Sequence, residues 1–182
     1  MARINQHFIL NALSTIKGAV IMEENEYACD LINAYGKYLQ FALGEYSDKA
    51  TVSFSKELEL IRAYFLLEKG RFYNLHFEIE SDTKAEFEVE PFLIFDIAKK
   101  WICDVIRWST APFQAKMAVC CREKDYEITF WQDQKLIFDH IKKDYAYRYA
   151  WEMLKQRVRN NRGSFSMKKC RDGSRLCLRF PK

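Results

Sequence analysis

INQHFILNALSTIKGAV, residues 4–20, repeats its apolar side chains every three or four positions. That spacing predicts an amphipathic helix. Its apolar face comprises Ile4, Phe8, Ala12, Ile16 and Ala19, widened by Ile9, Leu13 and Val20. The opposite face is polar and carries His7, Asn11, Ser14 and Gly18. His7 and Asn11 are four residues apart, so their side chains should be neighbours on an exposed surface.

Two more helices should follow. One begins near Glu24, buries Tyr27, Leu31, Ala34, Tyr38 and Phe41, and ends at Gly44, where a left-handed cap residue is expected. Another begins at a cap formed by Ser53 or Ser55 and continues to about Phe72. The first seventy or so residues are therefore predicted to be entirely helical.

After residue 72 the pattern alternates between strand and helix. Strands are predicted around residues 77–79 and 87–91, at 115–121 and at 126–132. A nearly buried helix is predicted at 92–108 and a single long helix at 137–160. The expected fold class is α+β, with a helical lobe at 1–72 followed by an α/β sandwich at 73–182.

Residues 164–180 predict an antiparallel hairpin that turns at Asp172-Gly173, because Asp-Gly is typical of two-residue hairpin turns. This turn would place Lys169 opposite Leu176 and Phe165 opposite Phe180. The apolar side chains would then share one face, formed by Phe165, Met167, Leu176, Leu178 and Phe180.

Composition excludes several classes of protein. The net charge of +4 is spread along the chain, so no nucleic-acid partner is expected. Six cysteines without a CxxC pair favour reduced thiols and no metal site. No apolar run approaches the ~20 residues that span a bilayer. A helical pattern that begins right after Met1 suggests that an upstream membrane or sensor region precedes a cytoplasmic chain, which a membrane tether could hold at the inner face.

Four segments carry a resemblance to a known family. Asn5–Asn11, NQHFILN, is close to the Asn-Pro-His-Phe-Leu-Phe-Asn signature around a phosphoacceptor histidine. The family's second conserved stretch resembles Lys56–Phe72. The start of its ATP-site helix resembles Pro91–Ile94, and its closing hairpin resembles Gly163–Pro181. The chain thus resembles LytS/YehU-type bacterial sensor histidine kinases.

This resemblance implies a dimerising, phosphoaccepting helical region and a GHKL-type ATP-binding domain with a mixed sheet. It implies that His7 accepts phosphate, with Asn11 beside it. The expected partners are a second copy of the chain, as a homodimer, and a response regulator or partner histidine kinase.

The ATP-site motifs depart from the family. Lys100 stands where the family has a magnesium-coordinating asparagine, and an ammonium has no lone pair for a metal. Asp133 keeps the position that binds the adenine amino group, but the glycines after it are replaced. No glycine occurs between Gly70 and Gly163, although phosphate-binding loops need backbone that glycine permits. No cofactor is therefore expected. If the nucleotide site still functions, the expected cofactors are ATP and Mg²⁺.

Three functions remain open. The chain is a pseudokinase or signalling scaffold, an active autokinase that phosphorylates His7, or an interaction or nucleic-acid-binding domain that reuses the fold. Simpler roles also remain for single residues. His7 could be a solvated helix histidine, and His76 and His140 are expected to be ordinary surface residues. Asp133 could pair with Lys100 or Lys135, and the tryptophans are expected to be core or interface anchors.

Overall fold

A computed structural model describes residues 6–44, 46, 49–72, 75–82, 84–108 and 112–182. Ile4 and Asn5 of the opening segment lie outside these residues. Six helices and seven strands form within the described part of the chain. In order they are α1 Gln6–Ile21, α2 Asn25–Leu43, β1 Val52–Ser53, α3 Phe54–Lys69, β2 Leu75–Ser81, β3 Glu88–Val89, α4 Leu93–Trp108, β4 Phe113–Cys121, β5 Asp125–Gln132, α5 Leu136–Lys143, α6 Tyr145–Asn160, β6 Ser164–Cys170 and β7 Gly173–Pro181.

The three N-terminal helices pack through one narrow face of α1. Phe8 and Ala12 are buried, and the Phe8 ring lies 4.9 Å from the ring of Tyr64 on α3. Leu13 and Val20, which widen the apolar face predicted for α1, remain 48% and 52% exposed in the monomer. A helix pair can cover only the side chains that face it, and this second row faces away.

The ends of α2 and α3 differ from the predictions. Gly44 does end α2, but its backbone is extended (φ −86°, ψ −177°) rather than left-handed. Glycine is still required there, since a Cβ would collide with the carbonyl of Gln40. The N-cap of α3 is Ser53, whose hydroxyl makes no capping hydrogen bond and instead lies 2.9 Å from the Ser55 hydroxyl. The helix ends at Lys69, three residues before the predicted limit.

The C-terminal part contains a five-stranded mixed sheet in the order β2-β4-β5-β7-β6. β2 and β4 are parallel and the other neighbours are antiparallel. Side chains on one face of the sheet are buried with α4, and they include Phe113, Met117, Ile128, Phe130, Leu176 and Leu178. The α+β class with a helical lobe before a mixed-sheet sandwich is confirmed. The predicted strand at 87–91 is only Glu88–Val89, which pairs with β1.

The closing hairpin forms, but its turn lies at Arg171-Asp172 rather than Asp172-Gly173. Phe165 pairs with Leu178 and Lys169 with Ser174, so the predicted register is wrong by two residues. A shift of two keeps every side chain on its face, and the predicted apolar face is therefore present. Gly173 is a strand residue with φ +148°, and a Cβ there would collide with the Gln132 carbonyl.

The single long helix predicted at 137–160 is wrong, because α5 and α6 are separated at Asp144. This residue has an extended backbone (φ −114°, ψ 114°), and its side chain accepts a hydrogen bond from Tyr147 N at 3.1 Å. Aspartate is a favoured N-cap residue. It begins a new helix here, although the apolar spacing on both sides is continuous.

The boundary predicted at residue 72 falls between α3 and β2, and the division into two domains stays a prediction. The helix α3 contacts both sides of that boundary, since it packs against α2 as well as α4 and β2. No helix in the described ranges is long and apolar enough to cross a membrane.

Candidate functional site

His7 lies on the first turns of α1 with its side chain exposed. The Asn11 amide nitrogen is 3.0 Å from Nδ1 and 3.4 Å from Nε2 of the imidazole ring. The Asn11 backbone carbonyl in turn accepts a hydrogen bond from the Thr15 hydroxyl at 3.0 Å. The predicted pair of His7 and Asn11 on one exposed face is therefore present, and the amide can fix the orientation of the ring.

A cavity of about 270 Å³ adjoins His7. Helices α1, α3 and α4 each contribute to its wall. The polar or titratable side chains that line it are His7, Tyr64, Glu68, Arg71, Lys99 and Cys103. No pattern in the sequence associated the last five with His7. Tyr64, Glu68 and Arg71 lie in the segment 56–72 that carries the resemblance, and Lys99 and Cys103 lie in the helix predicted at 92–108.

Three of these groups determine the charge of the cavity. Glu68 is 3% exposed, and its Oε2 accepts a hydrogen bond from Nη1 of Arg71 at 2.8 Å. The Lys99 ammonium lies 5.5 Å from the centre of the Tyr64 ring and 5.8 Å from that of Phe95. No ion pair joins Lys99 to another residue in the described part of the chain.

The other two titratable groups in the wall are neutral near pH 7. The Tyr64 hydroxyl and the Cys103 sulfur are 3.3 Å apart. Burial raises the pKa of the Cys103 thiol to about 12 and the pKa of Tyr64 well above its ordinary value. A thiol in this setting is not a reactive nucleophile.

Lys100, on the same helix, does not line this cavity. Its ammonium forms an ion pair with Asp104 at 3.0 Å and lies 3.9 Å from the centre of the Tyr147 ring. The Trp151 ring is 5.4 Å away. Lys100 is therefore held between a carboxylate of α4 and two aromatic rings of α6.

An aromatic cluster occupies the space between α4, α5 and α6. The His140 ring stacks on Trp108 with centroids 3.6 Å apart, and Tyr147 meets Trp108 edge-on at 5.0 Å. The expectation that His140 is an ordinary surface side chain is wrong. Trp101 and Trp151 are buried and pack edge to face at 6.2 Å, so they are the core anchors that were predicted.

Asp133 follows the last residue of β5. Its backbone N–H donates to the Gln114 carbonyl at 3.1 Å, and its Oδ1 is buried with no hydrogen-bond partner. Neither expected lysine pairs with it, because Lys100 binds Asp104 and Lys135 donates to the Arg171 carbonyl at 2.6 Å. The ion pair considered from the sequence is thus absent among the described residues.

Glu57 has a structural role that the sequence did not reveal. It is 2% exposed, and its carboxylate accepts backbone hydrogen bonds from Phe92 at 2.5 Å and Phe95 at 2.9 Å. A residue of α3 thereby caps the start of α4. Burial raises the pKa of Glu57 to about 7. Because 35 residues separate Glu57 from Phe92, no local spacing rule could have identified the contact.

Comparison with known proteins shows what the chain resembles. Residues 1–75 match the family model described as "Histidine kinase". The sensor protein LytS of Enterococcus faecalis is 34% identical over 96 residues, which are 51% of this chain and 16% of that protein. The sensor histidine kinase BtsS of Escherichia coli is 38% identical over 71 residues, 39% of this chain and 12% of that protein.

The chain is related to the LytS-type sensor histidine kinases. It spans less than a fifth of the length of these relatives. In this likeness it resembles the transmitter region of a two-component sensor histidine kinase. The match at residues 1–75 includes His7 and Asn11, and the role of His7 as phosphoacceptor stays a prediction.

Solved structures confirm the fold of this LytS-type chain. The catalytic domain of histidine kinase ThkA superposes with a TM-score of 0.59 and 16% identity, covering 74% of this chain and 97% of that one. Histidine kinase AdeS of Acinetobacter baumannii gives 0.55 and 11% identity, covering 96% and 94%. The fold of the chain is therefore like that of histidine kinase catalytic domains.

Proposed function

We propose that this chain is the transmitter portion of a sensor histidine kinase that receives phosphate on His7 from a partner kinase and does not itself bind magnesium-ATP. It acts as a pseudokinase or signalling scaffold in a two-component phosphorelay. Its phosphorylated form passes the group to a response regulator. The chain works in the cytoplasm, as the sequence analysis expected.

The observation that carries the proposal is the setting of Lys100. The resemblance assigns a magnesium ligand to this position, and a lysine ammonium has no lone pair to offer. Its positive charge is neutralised by Asp104 and enclosed by the rings of Tyr147 and Trp151. The residues present do not fit a magnesium-bound nucleotide. In this proposal, no step of phosphoryl transfer therefore uses ATP bound to this chain.

The packing above Lys100 supports the same proposal. The side chains of α6 fill the face of α4 that carries Lys100 with large rings. A nucleotide would have to displace Tyr147, whose hydroxyl is buried, along with Trp151. Residues 71–162, which include the whole of α4, α5 and α6, contain no glycine that would let backbone amides approach a phosphate.

His7 requires much less than an ATP site does. A partner kinase would position its own ATP, and phosphoryl transfer would form a P–N bond to the His7 ring while the P–O bond to the leaving ADP breaks. This chain must supply an exposed ring nitrogen in a fixed orientation. The exposed ring and its contact with the Asn11 amide provide both features.

A homodimer is part of the proposal. Large apolar side chains that the monomer leaves exposed lie along α1 and α2, namely Leu10, Leu13, Val20, Ile21, Met22, Ile32 and Leu43. An apolar surface of this kind is typical of an interface. A second copy of the chain, which presents the same surface, would cover it as a helical bundle.

Titration with magnesium-ATP by isothermal calorimetry tests the nucleotide part. We expect no saturable binding below about 1 mM, where the binding free energy is only about −4 kcal/mol. An active LytS-type kinase serves as the positive control. Lys100→Asn alone should not restore binding, because Tyr147 and Trp151 still fill the site. A micromolar dissociation constant for the wild-type chain would contradict the proposal.

Cross-phosphorylation tests the role of His7. The chain is mixed with an active family member and labelled ATP, and acid-labile label is measured on this chain. We expect label on the wild type and on His76→Ala, a matched exposed histidine on β2, but none on His7→Ala. Label that survives His7→Ala, or no label with any partner, would leave the chain as a scaffold only.

A second candidate, an active autokinase, is favoured by one observation. The buried, unpartnered Oδ1 of Asp133 is placed where the resemblance expects a carboxylate that binds the adenine amino group. An unsatisfied buried acceptor costs free energy that a ligand could recover. ATP binding that is lost in Asp133→Asn would favour this candidate over the pseudokinase.

A further inference from the structure

We infer that the cavity beside His7 is a binding site for a phosphoryl oxyanion, with Lys99 and Arg71 as its cations. Two sources can supply the same chemistry, a phosphoryl group carried on His7 or free inorganic phosphate. The first source rests on the proposed function, whereas the second depends only on the cavity.

Lys99 supplies a positive charge that no residue in the described part of the chain neutralises through an ion pair. Within the described ranges it forms no ion pair, and its ammonium lies near the Tyr64 and Phe95 rings rather than a carboxylate. An ammonium has three N–H donors and is a strong point charge for phosphate. Lys99 therefore has donors available for an anion in the cavity it lines with His7.

Arg71 supplies further donors. A guanidinium has five N–H groups, and the ion pair with Glu68 joins one of its nitrogens, Nη1, to a single carboxylate oxygen. The Phe72 ring packs against the guanidinium with its centroid 4.8 Å away. Such an arginine is oriented by its neighbours and still presents N–H groups to a phosphate.

Glu68 is the group that would oppose an anion, so the balance of charge matters. Its one negative charge is matched by Arg71, and the charge of Lys99 then leaves the cavity positive. Tyr64 and Cys103 add no negative charge, because burial keeps both protonated. Buried rings of Phe8 and Tyr64 form part of the wall, and such low-polarity surroundings strengthen the attraction between a cation and a phosphate.

The position of the two cations adds a structural consequence. His7 belongs to α1, Arg71 follows α3 and Lys99 belongs to α4. A phosphoryl group bound by all three would connect the helical lobe to the first helix of the α/β part. Phosphorylation of His7 would then stabilise one arrangement of these helices.

Two measurements on the intact chain separate the two sources. In the first, inorganic phosphate is titrated while the imidazole resonances are followed by NMR, with His7 assigned through His7→Ala. In the second, the chain is treated with phosphoramidate, which transfers its phosphoryl group so that the P–N bond to ammonia breaks as a P–N bond to imidazole forms. Phosphohistidine is then detected by ³¹P NMR.

The test variant is Lys99→Met, which keeps the length of the side chain and removes its charge. The control is Lys69→Met, an equal change at an exposed residue of α3. We expect saturable phosphate binding in the wild type and in Lys69→Met, weakened about tenfold or more in Lys99→Met. The rate of His7 phosphorylation by phosphoramidate should fall in the same variant, and unchanged chemical shifts of core resonances would show that it folds.

The outcomes distinguish this inference from the proposed function. Phosphate binding that depends on Lys99, with no phosphohistidine formed, would support the oxyanion site and count against His7 as phosphoacceptor. His7 labelling that is equal in Lys99→Met and Lys69→Met, with a linear phosphate titration, would overturn the site and leave the phosphoacceptor role intact. An equal loss in both variants would reflect net charge alone and would also overturn the site.

Discussion

Glu57 joins two parts of the molecule through a single buried carboxylate. Its two oxygens accept hydrogen bonds from Phe92 and Phe95 at the start of α4, where Phe92 has a positive φ of 64°. Backbone donors at a helix start favour the ionised form, but removal from water opposes it more strongly, and the pKa rises to about 7. The folded chain therefore binds this proton more tightly than the unfolded chain does.

Stability should consequently depend on pH through Glu57. A pKa raised from 4.5 to about 7 on folding gives a contribution that is complete below pH 4.5 and is lost as the pH rises through about 7. The loss amounts to about 3 kcal/mol. Urea unfolding at pH 5 and pH 8 should show this decline in the wild type and much less of it in Glu57→Gln. Glu59→Gln, at a position of the same helix whose side chain is 44% exposed, should retain the wild-type decline; an equal decline in all three chains would contradict the assignment.

At the scale of residues, the sequence predicted what helical spacing determines. His7 and Asn11 are neighbours because they are four positions apart on one helix, and that geometry is local. The relation of His7 to Lys99 depends on how α1 packs against α4, which no spacing rule describes. Whether a lysine pairs with Asp133 depended on the alternative partners of Lys100 and Lys135, which are Asp104 and the Arg171 carbonyl.

At the scale of elements, capping and close backbone approach decided the cases in which periodicity failed. Asp144 begins α6 inside an apolar pattern that suits one continuous helix. The hairpin turns one residue earlier than Asp-Gly predicts, because Gly173 is the first residue of β7 and lies against the end of β5. Its hydrogen atom allows the backbone to lie against Gln132 and Asp133. The Asp-Gly pair identified the correct hairpin, but it placed Gly173 in the turn, whereas Gly173 is a strand residue paired with Cys170.

Replacement of Gly173 tests this explanation. An alanine Cβ would collide with the Gln132 carbonyl and lie 2.8 Å from the Asp133 Cα, on a backbone with φ +148°. We expect Gly173→Ala to lower the free energy of unfolding by about 2 kcal/mol or more. Gly18→Ala is the control, since nothing lies within 4 Å of a Cβ on this residue of α1, and it should raise stability by up to about 1 kcal/mol. Chemical denaturation measures both, and a neutral Gly173→Ala would show that the strand can move away from Gln132.

At the scale of the whole molecule, the change of period near residue 72 was enough to predict the fold class. The order of the strands was not predictable in the same way. β2 pairs with β4 across the intervening α4, and β7 inserts between β5 and β6. These pairings join segments far apart in sequence, so they depend on how the buried faces of all strands meet α4. The nearly buried helix predicted at 92–108 is α4, whose apolar side chains belong to the core.

The second apolar row on α1, formed by Leu13 and Val20, shows the same limit of periodicity. Periodicity shows that Leu13 and Val20 are apolar neighbours, but it does not show which partner covers them. In the monomer α2 and α3 cover Phe8, Ala12 and Ala19, while Leu13 and Val20 remain about half exposed. An isolated α1 and α2, of 16 and 19 residues, would gain stability by packing this row against another helix pair.

A second copy of the chain should therefore cover this row, and a charge placed in it should prevent association. Leu13→Glu would bury a carboxylate in the interface, which is unfavourable without a partner. Sedimentation equilibrium at high micromolar concentration should show dimers for the wild type and monomers for Leu13→Glu. Met153→Glu on α6 is the matched control, because Met153 is 47% exposed and Leu13 is 48%, and it should remain dimeric. A wild-type chain that stays monomeric, or a dimer that both variants disrupt equally, would contradict an interface on α1.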